Sequence, residues 1–356
     1  MSKGIKLAAV LATGALALAA CGSSSSAGSS GSASPSASKI DFKACMVSDA
    51  GGFDDRSFNQ TGYEGLKKAE AELGVEVVAL ESKTDADYTP NINQAVSQGC
   101  NLVITVGFLL GDATEKAATA NPDTEFAIVD YAYEKPPTNL KGLVFATEQS
   151  SFLAGIAAAG TSKSGIVATY GGLQIPSVTA FMTGFYQGVE YYNKENGKSV
   201  KVLGWDATDP KKGTYAGGFD DQNKGKQIAN NFIQQGADVI FPVAGPVGLG
   251  TAAAAQATDG KVSVIWVDTD GCVSASQYCD VFLTSVMKEI GVAVYDTVKS
   301  ASSGSFTNEV YVGTLANAGT KLAPYNQFDN VVPAEVKAQV EKAQADIIAG
   351  TIKVTP

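Results

Sequence analysis

What most constrains this chain is an alternation of short apolar runs with helix-length segments. The runs are FKACMV (42–47), VEVVAL (75–80), LVITV (102–106), EFAIVD (125–130), LVFAT (143–147), GIVATY (165–170), VKVLGW (200–205), DVIFPV (238–243), VSVIWVD (262–268) and VFLTSV (281–286). Between most of them lie stretches with helical patterning, such as SFNQTGYEGLKKAEAELG and KGKQIANNFIQQG. Runs that are apolar on both faces and separated by helices build parallel sheets covered on both sides. Ten strands exceed one ordinary doubly wound sheet at this length, so two similar lobes are expected. Ligands on such sheets bind beyond the carboxyl ends of the strands, and two lobes facing each other make a cleft there.

The N-terminal residues lead to the expectation of an exported protein. Lys3 and Lys6 precede an apolar stretch of fourteen residues, Leu7 to Ala20, broken only by Thr13 and Gly14. A membrane-spanning helix needs about 20 apolar residues, so residues 1–20 are expected to be a secretory signal peptide. Leu18-Ala19-Ala20-Cys21 matches a lipobox, which implies diacylglycerol on the Cys21 thiol and a membrane-anchored protein. Plain cleavage with an incidental Cys21 is the other reading. Residues 21–39 are then expected to be the lipidated Cys21 and a Ser-rich tether. Ten of the eighteen residues after Cys21 are Ser, too polar a stretch to order itself, with a reach of roughly 20–25 Å. Without the signal, 24 basic residues stand against 36 acidic ones, a net charge of −12 that argues against nucleic acid.

Cysteine usage agrees with export. Cys45, Cys100, Cys272 and Cys279 suggest two bridges. Cys272 with Cys279 closes a short loop. Cys45 with Cys100 closes a long one, worth at most about 4 kcal/mol, although both lie in or beside apolar strands and buried free thiols are the alternative.

Much chemistry is excluded. The chain has no His, so a His-based triad or zinc site is absent. GPVGLG (245–250) has its glycines out of order for a dinucleotide loop, and DTDG (268–271) is followed by Cys and Val where a calcium loop needs oxygen ligands. No enzyme activity, cofactor or metal is expected. What remains are residues at strand ends: Asp49, Asp130, Asp268 and Gly245. Carboxylates there accept paired hydrogen bonds from vicinal hydroxyls or base N–H groups, and Phe58 and Phe219 in flanking loops would stack on a flat ring. The composite suits a neutral, planar, hydroxyl-rich ligand. The hexapeptide AGGFDD occurs at 50–55 and again at 216–221. We read it as similar turn chemistry, with Asp at helix starts, rather than as an exact structural repeat.

DAGGFDDRSFNQTGYEGLKKA closely resembles the opening motif of the basic membrane protein family of substrate-binding lipoproteins, which serve nucleoside ABC importers. The likeness continues through FAIVDY, GGLQIPSVTAFMTGFYQGVEYYN, DDQNKGKQIANNFIQQGADVIFPVAG, VIWVDTDG and LTSVMKEIG, covering essentially residues 40–356. It implies an α/β type I periplasmic-binding-protein fold: two Rossmann-like lobes with parallel sheets and an interlobe cleft. Lobe 1 would take residues 40–147 and 272–312, lobe 2 residues 148–271 and 313–356. By the same resemblance Asp49, Asn59 and Asp130 would contact a nucleobase. Phe58 and Phe219 would be its aromatic plates, Gly245 a ribose-facing backbone position, and Asp268 and Lys288 the ribose binders. The family pattern Asp-x-Asp-Gln reads Asp268-Thr269-Asp270-Gly271 here, a departure on the ribose side. The expected protein is a monomer on the outer face of the cell membrane that captures a nucleoside, purine before others, and hands it to an ABC permease and its ATPase. A sugar or other small polar ligand, or a sensor without transport, are the alternatives.

Overall fold

Each of the ten apolar runs contributes a strand in the computed structural model, which describes residues 38–356. The expected signal peptide, Cys21 and the tether as far as residue 37 lie outside the described residues. The first sheet holds β1 (Lys43–Ser48), β2 (Glu76–Leu80), β3 (Leu102–Val106), β4 (Glu125–Val129) and β5 (Leu140–Phe145). The second holds β6 (Ile166–Gly171), β7 (Lys201–Leu203), β8 (Val239–Val243), β9 (Ser263–Asp268) and β10 (Phe282–Lys288). Two three-residue strands, β11 (Tyr311–Gly313) and β12 (Thr320–Leu322), complete them. The orders are β2-β1-β3-β4-β5-β11 and β7-β6-β8-β9-β10-β12, so the sheets repeat one topology. Every pairing is parallel except β10 with β12.

The helices are α1 (Phe58–Leu73), α2 (Tyr88–Ser97), α3 (Gly111–Ala120), α4 (Thr147–Thr161), α5 (Pro176–Asn196), α6 (Gln222–Gln234), α7 (Val247–Gln256), the short α8 (Gly271–Ser274), α9 (Ile290–Ser302) and α10 (Ala334–Ile348). Alternate residues of each strand serve opposite cores. In β1, Ala44 and Met46 join the cluster under α1 and α9, while Cys45 and Val47 join the one under α2 and α3. The second sheet is sandwiched likewise, with Phe181 and Phe185 of α5 on one side and Ile228 and Phe232 of α6 on the other. Cys45–Cys100 and Cys272–Cys279 are both disulfides, so the free-thiol alternative does not hold. No helix among the described residues is long and apolar enough to cross a membrane.

The lobe boundaries need one correction. The chain leaves the first sheet after Phe145 and passes between sheets again between Gly313 and Thr320. The other crossing, expected after Gly271, comes after Lys288, because β10 pairs with β9 in the second sheet, Ser285 beside Trp266. The segment carrying Cys272 and Cys279 is only about a dozen residues long, enough for a parallel crossover back to the edge of β9. The first lobe thus takes α9 and β11 but not β10.

Candidate functional site

The carboxyl ends of the strands in both sheets open onto one cleft of about 600 Å³, mouth included. All eight residues singled out in the sequence line it: Asp49, Phe58, Asn59 and Asp130 from the first lobe, and Phe219, Gly245, Asp268 and Lys288 from the second. Asp49 follows β1, Asp130 follows β4, and Asp268 and Lys288 are the last residues of β9 and β10. β4 and β9 hold the same rank in their sheets. Asp130 and Asp268 also share a left-handed backbone, φ 67° and 69°. Non-glycine residues rarely hold that conformation, which costs of order 1–3 kcal/mol and clusters at functional sites. Gly245, at φ 50°, turns the chain just beyond β8.

The charges are linked. Lys288 Nζ lies 2.7 Å from Asp130 Oδ2 and 3.2 Å from Asp268 Oδ1, so one ammonium bridges the two lobes. It also sits 4.4 Å from the centre of the Phe58 ring and 5.3 Å from that of Phe181. Burial opposes the charge on Lys288, but Asp130 and Asp268 together outweigh it and hold the ammonium above its ordinary pKa. Burial raises the pKa of Asp130, against the pull of Lys288. It pushes Asp49 up to about 6, against hydrogen bonds from Asn59 and the Gly51 N–H. The Ser57 hydroxyl in the first lobe donates to Asp268 Oδ2 in the second at 2.9 Å.

Phe58 opens α1 with its ring half-buried against the first-lobe core and lining the cleft. Phe53 does something else. It is buried and lies 4.8 Å from the Tyr63 ring, within the core. Phe219, the Phe of the second AGGFDD, reaches the cleft, and it rests so closely on Gly172 that a Cβ there would come within 2.3 Å of its ring. The last Asp of each hexapeptide caps a helix start: Asp55 accepts from the Asn59 N–H at 2.8 Å and Asp221 from the Lys224 N–H at 3.0 Å.

With this geometry in hand, the comparisons with known proteins are decisive. The family described as ABC transporter substrate-binding protein, PnrA-like (Bmp), matches residues 42–355. The chain belongs to the Bmp family. The "ABC transporter nucleoside-binding protein BmpA" of Lactococcus lactis is 36% identical over 333 residues, 89% of this chain and 90% of that protein. Basic membrane protein A1 of Borrelia garinii is 29% identical, with 86% of each chain covered. Among solved structures, a solute-binding protein of an ABC transporter from Aeropyrum pernix K1 superposes with a TM-score of 0.80 at 27% identity, covering 88% of this chain and 94% of that one. As a Bmp-family protein this chain is a substrate-binding component of an ABC transporter with a periplasmic-binding-protein-like fold. The family is one of extracytoplasmic solute-binding proteins, and in an ABC transporter such a component would pair with a permease and an ATPase.

Sequence reasoning missed several residues in or beside the cleft of this Bmp-family protein. Ser57 reaches Asp268 across 211 positions of sequence, a contact that no local pattern carries. Phe181 sits in the quoted stretch IPSVTAFMTGF and lies under Lys288, so that motif was its signal. Ile175, Val178 and Phe108 add to the apolar lining.

Proposed function

We propose that this protein captures a nucleoside, a purine nucleoside in preference, between its two lobes and delivers it to an ABC importer. One observation carries the reading: a phenyl ring from each lobe lines a cleft whose other walls carry carboxylates and one lysine. A flat base between Phe58 and Phe219 would take both its faces out of water. Asp49, Asn59 and Asp130 would accept from the N–H groups of the base edge, and Asp268 and Lys288 would hold the ribose hydroxyls beside Gly245. The name borne by the Lactococcus relative supports the same ligand class. Lipid on Cys21 would keep the domain at the membrane, close to the permease.

A thermal-shift screen of nucleosides, free bases and sugars tests this. A ligand at a hundredfold excess over its Kd stabilises the fold by about 2.7 kcal/mol. Purine nucleosides are expected to raise the melting temperature most. Stabilisation by pentoses or hexoses and by no nucleoside would contradict the proposal.

A further inference from the structure

Asp55 lies at the edge of the cleft, 4% exposed, yet it has nothing left to offer a ligand. Its Oδ1 accepts from the Ser57 N–H at 2.9 Å and the Gln60 N–H at 3.0 Å. Its Oδ2 accepts from the Asn59 N–H at 2.8 Å and from Asn59 Nδ2 at 3.1 Å. A carboxylate has about four lone-pair sites, and all are engaged. Asn59, 1% exposed, is equally constrained. One Nδ2–H goes to Asp55 and the other to Asp49 Oδ1 at 2.7 Å. Its Oδ1 is buried and has no partner in the protein. An amide nitrogen held by two carboxylates cannot exchange places with its oxygen, because oxygen cannot donate to them.

We propose that Asp55 is a positioning residue for ligand selection, locking the Asn59 amide so that its oxygen is the atom offered to the ligand. The cleft then requires an N–H or O–H donor at that point and disfavours an acceptor, since an acceptor there would leave two buried lone pairs facing each other. The proposal rests on the reading that Asn59 contacts a nucleobase. Asp55 also accepts from the Ser57 and Gln60 N–H groups, on either side of Phe58 and next to Arg56 at φ 60°, so one side chain fixes the turn from which Ser57 reaches the second lobe and Phe58 and Asn59 line the cleft. Asp221 is the built-in comparison. It comes from the other copy of AGGFDD, is exposed, and caps α6 with a single bond to the Lys224 N–H.

Two measurements on the full chain decide the matter. The first is calorimetry with inosine on Asp55→Ala, Asn59→Ala, the double variant and Asp221→Ala, each checked for a cooperative thermal transition. The two single variants should each weaken binding by about 10- to 100-fold, the cost of a lost or misplaced buried hydrogen bond. The double variant should be no more than about threefold weaker than Asn59→Ala alone, because coupled residues do not add. Asp221→Ala should leave affinity unchanged. A double-variant loss equal to the product of the single losses would overturn the proposal, since Asp55 would then act independently of Asn59. The second measurement needs no nucleoside: side-chain amide signals in 1H–15N spectra, with the Asn59 pair assigned by its absence in Asn59→Ala. Asp55→Asn should move that pair and abolish its protection from exchange. An unmoved, still-protected pair would sink the proposal. If inosine and other nucleosides fail to bind the parent protein, it is the nucleoside reading that falls, and the spectra still decide the role of Asp55.

Discussion

Removing one aromatic plate should separate affinity from stability. Phe58 lies half-buried on the edge of the first-lobe core with Lys288 Nζ 4.4 Å from its ring centre. Stacking contributes about 0.5–1.5 kcal/mol beyond area burial, and losing an apolar wall around a bound base adds the burial itself. The sum predicts a 10- to 1000-fold loss of nucleoside affinity in Phe58→Ala, at about 1.4 kcal/mol per tenfold. Phe219→Ala, from the opposite lobe, should behave the same way. Phe53→Ala is the converse, because its ring is buried against Tyr63. Emptying a buried Phe site costs about 3–5 kcal/mol of stability, which lowers the melting temperature by roughly 5–15 °C for a domain of this size. Its affinity should stay within a few-fold of the parent. Calorimetric titration and thermal unfolding on the same three variants read both quantities. Loss of affinity in Phe53→Ala with none in Phe58→Ala would refute the assignment of the plates.

Other substitutions probe the rest of the site. Asp268→Ala should weaken nucleosides far more than the corresponding free bases, because it removes a partner for ribose hydroxyls; equal losses for both would contradict that role. The Asp49 carboxyl, raised by burial to about 6, gives a pH dependence of known sign. The folded chain holds this proton more tightly than the unfolded chain, so the cost of keeping Asp49 charged in the fold is relieved as pH falls through about 6. A base N–H needs the ionised form, so nucleoside affinity should fall as pH drops from 7 to 5, and Asp49→Asn should flatten the profile in titrations across that range. Cys21→Ser should release the protein from the membrane phase of a detergent partition and leave ligand affinity unchanged.

The fold was legible wherever a run was apolar on both faces. LVITV and VSVIWVD have the length and β-branched content of buried strands, and both lie at the centre of a sheet. β11 and β12 were not legible, because YVG and TKL are three residues long and only partly buried. The second crossing was misplaced because the Cys272–Cys279 loop looks like a linker, although it only returns the chain to the same sheet. Identical letters also misled less than they invited. The two AGGFDD copies feed α1 after β1 and α6 after β7, which are not matching positions in the two sheets. The matching positions are Asp130 and Asp268, joined to each other through Lys288 and related in sequence by little more than Val-Asp. The strand-end rule brought out the residues of the cleft walls, but hydrogen bonds such as Ser57 to Asp268 depend on how the lobes meet.

The central claim is that a nucleoside lies between Phe58 and Phe219 with its ribose toward Asp268 and Lys288. A crystal structure of the protein grown with inosine tests it most directly. Density is expected for the purine between the two phenyl rings, with the ribose hydroxyls within hydrogen-bonding distance of the Asp268 carboxylate and the Lys288 ammonium. Density for the nucleoside outside this cleft, or in it with the ribose against Asp49 and Asn59, would contradict the account.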